Sequence, residues 1–202
     1  MGRTIGITGG IGSGKSIVAR VLRCNGFPVY DCDSEAKHIM NKNVAVKTSL
    51  KKRLGDDIYH KNGTLDRKKL SVLLFSNEEV RLYVNSLVHE AVRKDIAEKR
   101  NQIHGEFFIE SAILATGGIS PICDKIWVVT APEPLRIERV KKRDKLSEQE
   151  IIGRIKTQER ELALLDSNKE VWLENDDNHA MLSKILIMTN KFNHNQTYNI
   201  SC

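Results

Sequence analysis

The run Gly9-Gly10-Ile11-Gly12-Ser13-Gly14-Lys15-Ser16 has a glycine, four residues, then Gly-Lys-Ser, the Walker A spacing. Each residue type has a job in holding a triphosphate. Glycines let the N–H groups of Gly10, Ile11, Gly12, Ser13 and Gly14 turn toward phosphate oxygens. A helix beginning at the lysine brings its positive dipole end to the same anion. Lys15 is suited to neutralising the β- and γ-phosphates, and the Ser16 hydroxyl to ligating Mg²⁺. An ordinary glycine-rich turn is the structural alternative, but it gives no reason for a Lys-Ser pair between a strand and a helix. The cradle alone does not choose among kinases, GTPases and motor or transport ATPases.

Acidic and basic residues elsewhere narrow the choice. Asp31 and Asp33 close the short apolar run Phe27 to Tyr30, and ligands of parallel sheets gather at the carboxyl ends of strands. Asp33 is the candidate base, since a carboxylate beside a hydroxyl can orient it and accept its proton during phosphoryl transfer. Capping a helix that starts near Ser34 is its structural alternative, and both roles can coexist. Glu110 ends the run Phe107 to Ile109, where it can hold a Mg²⁺-bound water or serve as a solvated loop residue. Arg136, Arg139 and Arg143 lie three and four apart and so share one helix face, suited to phosphates or simply to solvent. Of the three, Arg143 favours the phosphate reading most, as a catalytic residue and an ATP contact. His89, between Val88 and Glu90, reads on its own as a satisfied imidazole sooner than a ligand contact. Trp127 and Trp172 lie in apolar runs and read as core.

These residues need an α/β frame to bring them together. Arg3 to Thr8 reads as a strand and Ile17, Val18, Val21 and Leu22 recur at helical spacing, so the opening is strand, loop, helix. Asn25 and Gly26 end that helix. Ser34 to about Arg100 is dominated by helical patterns, including Ser76 with Glu79 as a capping box before Val80, Tyr83, Val84, Leu87, Val88 and Ala91. Glu106 to Glu110 and Lys125 to Thr130 read as further buried strands. Pro132 and Pro134 open a basic helix through Arg143, and Ser147 with Glu150 caps another. Val171 to Leu173 suggests a last strand, Met181 to Met188 a helix, and the Asn-rich tail 189–202 a frayed end.

The 202 residues suit one α/β domain with helical insertions. Hydrophobic residues at 40% and charged residues at 29% match a globular chain. No apolar run approaches a membrane span, and no leader pattern opens the chain, so a cytoplasmic protein without a membrane partner is expected. Cys24, Cys32, Cys123 and Cys202 show no metal-ligand spacing and read as reduced thiols. The net charge of +6 is spread along helical stretches, which fits an anionic small ligand better than a nucleic acid. A GTP switch would need Asp-x-x-Gly and Asn-Lys-x-Asp motifs, and neither occurs. A kinase acting on nucleotides, nucleosides or sugar acids survives on chemistry alone.

Taken in order, the motifs resemble the dephospho-coenzyme A kinase family over roughly Thr4 to Met188. The pieces are Thr8 through Ser16, Asp31-Cys32-Asp33, Gly63-Thr64-Leu65-Asp66-Arg67 with Leu70, Asn85 with Leu87 and His89, Arg139 with Arg143-Asp144, and Gln158 with Asn175. The resemblance implies transfer of the ATP γ-phosphoryl group to the ribose 3′-hydroxyl of dephospho-coenzyme A, with Mg²⁺ as cofactor. It makes Asp33 the base, gives Lys15 and Ser16 to the nucleotide and Mg²⁺, puts Arg139 and Arg143 on a lid, and assigns Arg67 and His89 to the acceptor. The fold it implies is a P-loop NTPase, three-layer α/β/α with a parallel sheet. Its parts would be a nucleotide core (about 1–33, 104–132 and 166–188), a helical substrate-binding insertion (about 34–103) and a helical lid (about 133–165). A monomer or weak homo-oligomer is expected. Two segments depart from the family's pattern. Glu110 to Thr116 stands where the family reads Asp-x-Pro-Leu-Leu-x-Glu, and Glu90 replaces the proline after His89.

Overall fold

The computed structural model describes residues 2–144, 146–176 and 180–189. Its opening strand is β1 (Thr4–Thr8), in which all five residues are buried. A strand buried at every position suits the middle of a parallel sheet, where helices cover both faces. The loop then leads into α1 (Lys15–Cys24), closed by Asn25 and by Gly26 at φ 80°. The later strands are β2 (Val29–Asp31), β3 (Phe107–Glu110), β4 (Lys125–Thr130) and β5 (Glu170–Glu174). The helices are α2 (Cys32–Lys42), α3 (Val44–Leu54), α4 (Arg67–Ser76), α5 (Glu78–Gln102), α6 (Glu133–Arg143), α7 (Glu148–Leu162) and α8 (Met181–Met188).

The sheet order is β2-β3-β1-β4-β5. β1 runs parallel to β3, with Ile7 opposite Glu110, and to β4, with Thr8 opposite Val128; β4 runs parallel to β5. The chain therefore passes from β1 over the position of β3 to β2, returns to fill the gap, and builds its last two strands on the other side. That change of direction opens a crevice at the carboxyl end of β1, where a doubly wound sheet binds its ligand. Beneath the crevice Ile5, Ile7, Val18, Leu22, Phe108, Trp127, Val129, Leu173, Met181 and Ile185 form one apolar cluster. Side chains of this size stabilise by about 1.5–3 kcal/mol each when fully buried. The layer thus holds the end of β1 and the start of α1 firmly in place.

The chain divides into two compact units, residues 1–30 with 103–202, and residues 31–102. The second unit is helical. α2, α3 and α4 each pack on the long α5, whose Val84, Val88, Val92 and Ile96 repeat every four residues and are buried. Gly63, at φ 80°, turns the chain ahead of α4.

Several local expectations change. The Ser76–Glu79 box does not form, because Ser76 still belongs to α4. Asn77, extended at φ −140°, takes the capping position and accepts from Val80 N at 3.0 Å. The Ser147–Glu150 box forms as expected. Trp127 is buried, but Trp172 is 57% exposed, since alternation on an edge strand sends it to the side opposite Leu173. Ile17, read as part of the apolar face of α1, is exposed. Cys32 and Cys123 are buried thiols outside any disulfide. Cys202 lies outside the described residues, as does the tail apart from Thr189, which is buried and donates its hydroxyl to Ile185 O at 2.9 Å. No helix among the described residues is long and apolar enough to cross a membrane.

Candidate active site

The glycine loop leaves the crevice end of β1 and closes on α1. Gly9, Gly12 and Gly14 have φ of 145°, 76° and 98°, a region that favours glycine. Space is as demanding as conformation. A Cβ on Gly12 would lie 2.6 Å from the Arg136 carbonyl, and one on Gly14 would lie 2.1 Å from Asn175 Nδ2. Gly14 is the N-cap of α1 and offers no capping side chain, and a helix N-terminus is suited to an anion.

The loop carbonyls are held from outside. Arg136 Nε donates to Ile11 O at 3.0 Å, Arg139 donates to Gly12 O at 3.2 Å, and Asn175 Nδ2 donates to Ser13 O at 2.9 Å. Asn175 is itself fixed, because its N–H donates to Thr130 O at 2.8 Å and its carbonyl accepts from Arg139 at 3.0 Å. Ile11 N donates to Gln158 Oε1, and the Ile11 side chain packs with Val140, Ile151 and Ile155 of α6 and α7. Lys15 Nζ donates to Gly9 O at 2.6 Å and Gly10 O at 3.4 Å. Among the described residues three polar side-chain atoms are buried without a partner: Thr8 Oγ1, Ser13 Oγ and an Arg136 guanidinium nitrogen. Unpaired buried groups are rare in native proteins. Two lie in or beside the loop and the third at its base, so the donor set fits a polyphosphate. Ser16, on the first turn of α1, is exposed and open to a cation.

Other candidates divide between the two units. Glu110 is half-buried at the carboxyl end of β3, opposite Ile7. Arg143 does not turn to the loop. It pairs with Asp144 through Nε at 3.0 Å and a terminal nitrogen at 2.8 Å, and holds that carboxyl below its usual range. In the helical unit Asp31, not Asp33, caps α2, accepting from Ser34 N at 3.0 Å and from the Ser34 hydroxyl at 2.9 Å. Asp33 is exposed in the first turn of α2 and free of that capping duty. Asp66 caps α4 through Lys69 N at 2.9 Å, which places Arg67 exposed at its first position. His89 is half-buried on α5, and Glu90 pairs with Lys94 at 2.7 Å.

A family model described as Dephospho-CoA kinase matches residues 3–180. The chain belongs to the dephospho-CoA kinase family. Among curated proteins, the dephospho-CoA kinase of Porphyromonas gingivalis is 39% identical over 184 residues, spanning 91% of each chain. A solved structure from Thermus thermophilus superposes with a TM-score of 0.77 at 30% identity, over 94% of this chain and 97% of that one. The dephospho-CoA kinase of Campylobacter jejuni, at 23% identity, shares the fold with a TM-score of 0.67 over 95% and 96% of the two chains.

In the segment departing from the dephospho-CoA kinase pattern, Thr116 N–H is met by a carboxylate from α7. Glu161, 7% exposed, accepts from Ala115 N at 2.6 Å and Thr116 N at 3.0 Å. Sequence reasoning missed Glu161, although a signal was present. Ile151, Ile155, Gln158 and Glu161 fall on one face of α7, so an amide and an acid continue an apolar stripe. Both turn out to bind main-chain N–H groups.

Proposed function

We propose that this chain transfers the γ-phosphoryl group of ATP to the ribose 3′-hydroxyl of dephospho-CoA, giving coenzyme A and ADP. One observation carries the reading. Arg139, Gln158 and Asn175, motif residues that mark the family resemblance beyond the glycine loop, are also among the side chains that hydrogen-bond the loop's main chain. The resemblance and the geometry thus rest on the same atoms. In this reading residues of about 1–33, 104–132 and 166–188 hold the nucleotide, about 34–103 hold the acceptor with Arg67 and His89, and about 133–165 close as a lid.

The chemistry follows from the parts. Main-chain N–H groups of Gly10, Gly12 and Gly14 and of the start of α1 bind the phosphates, with Lys15 neutralising the β,γ end. Asp33 takes the proton of the 3′-hydroxyl as its oxygen bonds the γ-phosphorus, and the electron pair of the breaking bond leaves on ADP. Arg139, and Arg143 once released from Asp144, stabilise the charge on the transferred group. Ser16, with Glu110 through a water, is the proposed holder of Mg²⁺, which would neutralise phosphate charge when bound. The partners are small molecules, and the reading suits a cytoplasmic monomer or weak homo-oligomer that needs no nucleic acid or membrane.

Kinetics of Asp33→Asn test the assignment. Turnover should fall by roughly two to four orders of magnitude while ATP affinity holds; an unchanged kcat would remove Asp33 from the chemistry. A coupled ADP-release assay over dephospho-CoA, pantothenate and nucleoside monophosphates tests the acceptor. Response to any of the others in preference to dephospho-CoA would overturn it.

A further inference from the structure

Arg136 is the one arginine of the α6 face to which the resemblance gives no role, yet its guanidinium packs directly against the loop at Gly10 and Ile11. Nε donates to Ile11 O at 3.0 Å, and a terminal nitrogen lies 2.0 Å from where a Gly10 Cβ would stand. That nitrogen is buried and has no partner among the described residues. Burial pulls the Arg136 pKa down, while Glu159 and Glu133 push it back up from a distance. Arginine stays charged in such a setting, so a buried donor of full positive character is left unpaired. Lys15 Nζ reaches the same place, bonding Gly9 O and Gly10 O. Two cations therefore converge on Gly10, at the opposite end of the loop from the start of α1. Inner phosphates sit on the helix N-terminus and the lysine takes the outer ones, so this end of the loop belongs to the terminal phosphate.

We propose that Arg136 is a further catalytic residue, whose unpaired guanidinium nitrogen binds an oxygen of the γ-phosphoryl group while Nε keeps its bond to Ile11 O. It acts as an arginine finger supplied by the chain itself, stabilising charge that grows on the equatorial oxygens during transfer. The proposal rests on the kinase reading above, but its decisive readout needs no acceptor. A γ-phosphate contact is made by ATP and not by ADP.

The test compares wild type, Arg136→Met and Arg136→Lys by equilibrium binding of ATP and of ADP, alongside steady-state kinetics with dephospho-CoA. In Arg136→Met the preference for ATP over ADP should fall about tenfold through loss of one charge-assisted contact. kcat should fall about a hundred- to a thousandfold, with the acceptor KM unchanged. The lysine variant should recover only part, because an ammonium lacks the rigid planar fork that spans Ile11 O and the phosphate. Equal weakening of ATP and ADP, or an unchanged kcat in an active enzyme, would overturn the proposal. Should Arg136→Met be unfolded by circular dichroism, the lysine variant decides on the same readouts. If wild-type enzyme ignores dephospho-CoA while the nucleotide preference still collapses in the variants, the acceptor assignment falls and the Arg136 contact stands.

Discussion

Replacing Glu161 should unfasten the loop after β3 from α7, with a cost that can be worked from its contacts. One carboxylate oxygen accepts two N–H groups, at 2.6 Å and 3.0 Å, in a residue only 7% exposed. Hydrogen bonds to a charged group contribute about 1.5–3 kcal/mol each. The donors belong to Ala115, half-buried, and Thr116, exposed, so water can take over part of the bonding once the carboxylate is gone. The expected loss for Glu161→Ala is about 2–3 kcal/mol, near the lower limit for two such bonds. Glu161→Gln keeps an oxygen of similar shape and loses only the charge, for about 1 kcal/mol. In a chain of this size that separates the melting midpoints of the two variants by about 2–8 °C. Urea unfolding, read by circular dichroism with and without ATP, measures both variants. The reasoning fails if alanine and glutamine cost the same, or if alanine lies within about 0.5 kcal/mol of wild type, the range of an ordinary surface change.

Gly12→Ala should abolish ATP binding, since its φ of 76° strains an L residue and its Cβ would lie 2.6 Å from the Arg136 carbonyl; calorimetry finding wild-type affinity would contradict the loop geometry. Tyr59, which donates to Met40 O at 2.7 Å, has its pKa pushed up to about 12 by burial. The unfolded value is about 10, so its stabilising effect is complete below about pH 10 and is lost as pH rises through the folded value. Ultraviolet titration of wild type against Tyr59→Phe should show that the variant loses a late-ionising group, and loss of a group ionising near the free value would refute the burial.

The parts of the site legible in the sequence are those built from neighbouring residues. The glycine spacing, the Lys-Ser pair and the apolar periods on either side specify strand, loop and helix because backbone conformation there is a local matter. Asp31 ends β2 as the sequence suggests, but Asp33 lies in the first turn of α2, and which of them caps that helix depends on where it starts, a matter of one or two residues. Arg136 and Arg139 could be put on one helix face by spacing; that Arg136 and not Arg143 reaches the loop depends on Asp144 beside Arg143 and on the depth at which α6 packs. Gln158 and Asn175 meet the loop across 147 and 162 residues of chain. Chemistry alone gave no warning of those contacts, and only the family resemblance singled the two residues out. The placement of β3 between β1 and β2 is equally nonlocal. Trp172 was misjudged because an apolar run does not reveal that its strand lies at an edge.

The central claim is that the loop presents the terminal phosphoryl group of ATP to one particular hydroxyl. The direct measurement is a reaction with ATP carrying heavy oxygen on its γ-phosphoryl group, with dephospho-CoA as acceptor and the products resolved by mass spectrometry and phosphorus NMR. The account predicts that the label leaves ATP at the rate ADP forms and is recovered at the ribose 3′-position of coenzyme A. Label released as inorganic phosphate, or coenzyme A formed without it, would contradict the account.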